Sequence, residues 1–263
     1  MFLEKICEEK RLSLAKRKKH INEREMEERI YELKKRPFLQ TFSKRFCTDI
    51  KIIAEYKKAS PTLGIINENV KFDEQIKAYE MGGADSLSIV TEEKYFKGDL
   101  AYIKAAKELT SLPILRKDFI VDTYEILESR YFGADCVLLI AEILKTEDLK
   151  SFLGMCETYG IDVLVEVYTK DALLRVLSLF EGNFLIGINS RNLSSLNVDL
   201  DNALHLLKEV PNHVPVIVES GIKKREDIEK FMDYGVSGFL VGTALMGSND
   251  PEREIRRLKY GEG

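Results

Sequence analysis

No stretch of this 263-residue chain approaches the roughly 20 consecutive apolar residues that a membrane-spanning helix needs. Its first residues, MFLEKICEEKRLSLAKRKK, hold no apolar core of the kind a secretory signal carries. Glu4, Glu8 and Glu9 are out of place in an acid-poor transit peptide. An excess of positive charge is missing too. Forty Lys and Arg against 44 Asp and Glu give a formal net charge of −4, which argues against a globally basic nucleic-acid binder. The four cysteines, Cys7, Cys47, Cys136 and Cys156, form no C-x-x-C pair and have no nearby His. Neither a metal site nor a disulfide framework is expected from them. A 44% apolar fraction is too high for intrinsic disorder. The expectation is a cytoplasmic protein that engages neither membrane nor nucleic acid.

What the chain does have, from about residue 50 onward, is one repeated rhythm. Short β-branched runs alternate with longer segments of helical periodicity. The strand candidates are 51–56, 85–90, 113–118, 135–140, 162–167, 184–189, 214–220 and 238–243. Gly133, Gly160 and Gly235 fall just before strands, where they fit helix caps. Eight such units, apolar on both strand faces, predict a parallel sheet covered by helices. A (β/α)8 TIM barrel in a single domain over 1–263 is the architecture expected. A doubly wound open sheet is the alternative, disfavoured because no G-x-G-x-x-G follows the first strand. Residues 1–49 stand outside the rhythm as a charged, N-terminal helical extension in which Pro37 is expected to stop a helix. The extension is expected to cover one end of the barrel or to serve as a dimer arm, with a monomer preferred. Its basic run Lys16–Lys19 reads as a solvated helix face.

In such a barrel the functional side chains project from the C-terminal strand ends. Strand parity places Glu55 and Lys57 on one face, Lys117 and Phe119 on another, and Asn189 with Arg191. Glu166 ends the fifth strand, while Glu219 and Ser220 end the seventh on opposite faces. A barrel built for stability alone has no reason to collect lysines and carboxylates around one opening. Gathered there, they shift one another's pKa and supply acid and base near neutral pH. Gly221 after the seventh strand, with Gly242 and Thr243 after the eighth, sits where barrel loops bind phosphate through backbone N–H groups. Ser220 and Thr243 hydroxyls add donors. Ser60-Pro61 after the first strand is either a further donor or the start of a turn.

IIAEYKKASPTLG, ILRKDFI, VEV, IGINSRNL, VESGI and FLVGTALM, in this order, resemble indole-3-glycerol phosphate synthases of tryptophan biosynthesis. Asn192 and the TLG after Ser60-Pro61 are small departures that touch no candidate catalytic group. The resemblance implies closure of 1-(2-carboxyphenylamino)-1-deoxyribulose 5-phosphate to indole-3-glycerol phosphate, with loss of CO2 and water and no organic cofactor or metal. It implies Lys117 as the acid at the ketone, Lys57 holding the carboxylate, and Glu166 as the base of dehydration, with Lys57 and Lys117 rival acids for that step. Asn189, Glu55 and Glu219 would hold substrate and lysines in position, and Arg191 would pair with a carboxylate. Phosphate would lie on Ser60, Gly221, Gly242 and Thr243. Phe96, Phe119 and Leu138 would form the wall for the aromatic ring, with a purely structural role open for each. A Schiff-base aldolase using Lys117 or Lys57, an inactive phosphate-binding barrel, and RNA binding through the N-terminal helix are the competing readings.

Overall fold

The aliphatic runs fold into short strands whose backbone groups pair in register with both neighbours. The computed structural model describes residues 2–19, 21–67 and 70–261. Its strands are β1 (Ile52–Tyr56), β2 (Ala59–Ser60), β3 (Gly64–Ile65), β4 (Ser86–Val90), β5 (Ile114–Lys117), β6 (Cys136–Ile140), β7 (Asp162–Val167), β8 (Leu185–Asn189), β9 (Val216–Glu219) and β10 (Gly238–Val241). Parallel pairing runs from β1 through β4 to β10 and back to β1, closing a barrel of eight strands. Closure excludes the open doubly wound sheet. β2 and β3 form a separate antiparallel hairpin above β1.

The helices are α1 (Phe2–Arg17), α2 (Glu23–Ile30), α3 (Phe38–Thr41), α4 (Phe72–Met81), α5 (Ala101–Leu109), α6 (Thr123–Phe132), α7 (Thr146–Thr158), α8 (Lys170–Leu177), α9 (Leu200–Glu209), α10 (Arg225–Met232), α11 (Thr243–Met246) and α12 (Pro251–Tyr260). From α4 onward they form the outer ring. Helix-facing strand residues such as Ile52, Ile89, Val137 and Val165 are buried against that ring. Alternate residues Ile53, Leu115, Leu138, Leu164, Leu185, Ile217 and Leu240 fill the barrel interior. Gly133, Gly160 and Gly235 all hold positive φ, as expected of helix-closing glycines.

The N-terminal segment touches the barrel at both ends. Phe38 and Phe42 of α3, 5.3 Å apart at their ring centroids, pack into the interior cluster from the N-terminal side. There Asp162 Oδ2 accepts from Leu39 N at 2.8 Å, and Asp135 Oδ1 accepts from Arg36 N at 2.7 Å. α2 lies on α6, its Met26 and Ile30 packed with Tyr124 and Leu127. α1 continues towards the C-terminal mouth, where Ile6 joins the interior cluster.

One expectation needs correction. Pro37 stops no helix: α2 ends at Ile30, and Pro37 is the N-cap of α3, where its missing N–H leaves no hydrogen bond unmade. The run Lys16–Lys19 is a solvated face at three of its four residues: Lys16, Lys18 and Lys19 are exposed, Lys18 pairing with Asp122 at the surface, whereas Arg17 is half-buried and pairs with Glu125 and Glu128 of α6.

Candidate active site

The strand ends named from the sequence converge on one cavity of about 810 Å3 at the C-terminal face of the barrel. Its lining includes Glu55, Lys57, Phe96, Lys117, Phe119, Leu138, Glu166, Asn189, Arg191, Ser220, Gly221, Gly242 and Thr243. Parity does this work. Inward positions low in β1, β5, β7 and β8 are aliphatic, and one or two pleats higher the same faces carry the polar groups, while β6 stays apolar with Leu138 and Ile140.

The hydrogen bonds join these groups into a chain. Lys117 donates to Glu166 Oε2 at 2.7 Å, and Asn189 Nδ2 donates to Glu166 Oε1 at 2.9 Å. Both oxygens of Glu166 on β7 are thus held, one from the adjacent strand β8 and one from β5, two strands away. Lys57 donates to Glu55 Oε1 at 2.6 Å. Burial works against the Lys117 charge, yet the carboxylates of Glu166, Glu219 and Glu55 raise its pKa above the ordinary lysine value. Lys117 therefore carries its proton throughout the neutral range.

Glu219 lies beneath this layer, fully buried, with Oε2 3.0 Å from Lys117 Nζ. Burial pushes its pKa up to about 8, Lys117 pulls it down only in part, and Glu166 adds to the rise. The carboxyl fits because residue 187, on the adjacent inward face of β8, is glycine: a Cβ there would overlap Glu219 Oε1.

On the opposite side of the opening the backbone turns sharply. Ser220 and Gly221 have φ of 65° and 82°, two successive left-handed residues at the end of β9. Ser220, set by parity on the opposite face from Glu219 and counted among the phosphate donors, lines the cavity. Gly242, the N-cap of α11, lies so close to Glu55 that a side chain would displace that carboxylate.

Two placements differ from expectation. Ser60 lies outside the main cavity, in an adjoining recess shared with Lys57, Arg191 and Thr243. Its Oγ accepts from Leu63 N at 3.2 Å, closing the turn of the β2–β3 hairpin. Among the described residues Arg191 pairs with no carboxylate: its Nη1 donates to Leu196 O at 2.7 Å, holding the 192–196 turn, and burial lowers its pKa.

Sequence reasoning missed Glu92, Asp118, Lys223 and Lys224, all of which line the cavity. Glu92 accepts from the backbone N–H of Lys94, Tyr95 and Phe96, so it shapes the loop that holds Phe96. The T-E-E after the second strand was its available signal. Phe96 and Phe119 face one another with centroids 6.1 Å apart, and with Leu138 they form an apolar wall. Among the described residues no group of three or more His, Cys, Asp or Glu is arranged to hold a metal ion, and no helix is long and apolar enough to cross a membrane.

A protein-family model described as indole-3-glycerol phosphate synthase matches residues 3–258. The chain belongs to this family. It is 39% identical over 256 residues to the indole-3-glycerol phosphate synthase of Koribacter versatilis, covering 97% of this chain and 98% of that protein. It is 46% identical over 210 residues to that of Aquifex aeolicus, covering 79% and 80%. Among solved structures, 3-hexulose-6-phosphate synthase from Salmonella typhimurium shares the fold alone, with a TM-score of 0.62 at 19% identity over 80% of this chain and 96% of that one. As an indole-3-glycerol phosphate synthase, the chain is a carboxy-lyase of tryptophan biosynthesis acting on a phosphorylated small molecule.

Proposed function

We propose that the lysine–glutamate chain at this mouth closes the indole ring of 1-(2-carboxyphenylamino)-1-deoxyribulose 5-phosphate. The observation that carries the assignment of roles is Lys117, protonated and 2.7 Å from Glu166, over an apolar wall and across from two phosphate-type loops. The ring packs on Phe96, Phe119 and Leu138. The phosphate takes the N–H groups around Ser220, Gly221, Gly242 and Thr243, with the α11 backbone adding donors. Lys57 faces the substrate carboxylate.

The ring carbon bearing the carboxylate attacks the ketone, whose π pair moves to oxygen and takes the proton of Lys117. The bond to the carboxylate then breaks, CO2 leaves, and its electron pair restores the aromatic ring. In the last step the new hydroxyl leaves as water with a proton from a lysine, Lys117 or Lys57. Glu166 takes the proton whose loss forms the pyrrole double bond. Asn189 and Glu55 hold Glu166 and Lys57 in position through the bonds described. Glu219, uncharged at neutral pH, supports Lys117 from below.

This reading places a small-molecule enzyme in the cytoplasm. Purified protein given the carboxyphenylamino substrate, with no added cofactor, is expected to form indole-3-glycerol phosphate. Lys117→Ala is expected to lower turnover by about 10²–10⁴-fold, the usual worth of a positioned acid. Unchanged turnover in that variant sinks the assignment of the acid. Borohydride trapping of substrate on a lysine would favour the aldolase alternative instead.

A further inference from the structure

The face of β5 turned away from the cavity carries charges that the chemistry above does not use. Arg116 is fully buried there, and its neighbours are ionic. Its guanidinium reaches Glu128 Oε2 at 3.0 Å and Asp118 Oδ2 at 3.1 Å, and it also donates to Ser129 Oγ and Glu125 O. From α1, Lys10 donates to the same Asp118 Oδ2 at 2.8 Å and lies 3.4 Å from Glu125 Oε1. Arg17 pairs with Glu125 and Glu128, each at 2.9 Å. Three cations thus meet three carboxylates, with side chains between 0% and 20% exposed. Two of the three cations come from the N-terminal helix.

Burying six charges is a poor route to stability, since apolar side chains of like volume pack at least as favourably. What a saturated ionic network does supply is a single geometry, and this one is fixed to the residues on either side of Lys117. Asp118 is its hinge point. Oδ2 accepts from Lys10, Arg116 and Thr91, and Oδ1 accepts from Phe119 N at 2.8 Å. Arg116 points outward while Lys117 and Phe119 point inward, and Asp118, at the edge of the cavity, sits between those two, so a rotation at Asp118 turns the acid and the ring wall together. Removing Lys10 leaves Asp118 with one cation in a site shared with two further carboxylates.

We propose that Lys10 is a positioning residue for the reaction: through Asp118 it fixes the end of β5, and with it the aim of Lys117 and the seat of Phe119. The proposal rests on the reading of Lys117 as the acid. α1 is then part of the working site and more than a cover over the barrel.

Steady-state kinetics of the full chain test this, with each rate expressed per folded molecule. Lys10→Met is expected to lower kcat by about 10–100-fold, the range that a small misplacement of a reacting group produces. KM should move by less than about threefold, because the phosphate loops follow β9 and β10 on other parts of the ring. Asp118→Asn, nearly the same in shape, should do likewise, and it keeps the question answerable if Lys10→Met fails to fold. The double variant should be no slower than the worse single one, as expected of two groups acting through one contact. Lys10→Arg should recover most of the rate. Lys18→Ala, which removes a different 2.9 Å ion pair between α1 and Asp122, should leave kcat unchanged. Parent-like kcat in both Lys10→Met and Asp118→Asn overturns the proposal. So does multiplicative loss in the double variant, or equal loss in Lys18→Ala. Lys117→Ala run alongside separates the two readings. Full activity there removes the acid assignment, whereas an inactive Lys117→Ala beside an unimpaired Lys10→Met removes only the role of Lys10.

Discussion

Glu219 Oε2 stands 3.0 Å from the Lys117 ammonium, yet the Glu219 pKa is pushed up to about 8. Burial raises its pKa first of all, and the lysine above it is already engaged by Glu166. The carboxyl therefore supports the ammonium without competing with the substrate's anionic groups for it.

That state has a pH signature. The folded pKa is raised above the ordinary 4.5, so the native protein holds a proton that the unfolded chain releases between about pH 4.5 and 8. The stability Glu219 contributes is complete below 4.5 and is lost as pH climbs through about 8. Glu219→Gln, which mimics the protonated form, is expected to match the parent's Tm near pH 5 and to exceed it by several degrees near pH 9. Thermal scans at the two pH values decide the matter, and an equal difference at both would contradict the buried, protonated carboxyl.

Lys57 is tied to Glu55 at 2.6 Å where both line the cavity. Its proposed task is purely electrostatic. Lys57→Met should weaken binding of a ketone-reduced substrate analogue by about 10–100-fold, the worth of a charge-assisted hydrogen bond of roughly 1.5–3 kcal/mol. An analogue that also lacks the carboxylate should bind parent and variant alike. Titration calorimetry with the two ligands gives the comparison.

Gly221 sits at φ 82° with Leu200 Cδ2 and Val198 Cγ1 at 2.7 and 2.8 Å from where a Cβ would stand. Gly221→Ala is expected to cost about 1–3 kcal/mol of stability through backbone strain and crowding. It should also raise KM and weaken competition by inorganic phosphate, while leaving kcat within a few-fold of the parent. An unaltered inhibition constant for phosphate would show that the anion lies elsewhere.

At the opposite end, Phe42 is wholly buried against Gly238 at the start of β10. Phe42→Ala should destabilise the fold by about 3–5 kcal/mol, the usual cost of emptying an aromatic site. Urea unfolding measures that loss. Initial rates at low temperature, corrected for the folded fraction, should equal those of the parent.

The strand positions and the inward groups were legible because both rest on a period of two: Glu55, Lys57, Lys117, Glu166 and Asn189 share parity with aliphatic residues lower in the same strands. Strand ends shifted by a residue or two: Lys51, Pro113 and Asp118 fall just outside β1 and β5, although the carbonyls of Lys51 and Pro113 still accept from Phe239 N and Leu87 N. Arg116 was hidden by the same rule that revealed Lys117. Its face of β5 was expected to be apolar, and only the coordinates bring Lys10 and Arg17 from the far end of the chain to neutralise it. Ser220 departed from parity because its φ leaves the strand conformation, a local event with no trace in spacing. The Arg191 side chain found a carbonyl five residues away, a short-range turn contact that a strand-based reading does not represent.

Asp85, Asp135 and Asp162 take up the N–H groups of Ile52, Ile114 and Leu39 at the floor of the ring, while the lysines and glutamates of the cavity hang from its rim. Durability and reactivity are lodged at separate poles. A lineage of such barrels is thereby free to rewrite its upper loops for another sugar phosphate while the foundation below stays as it is.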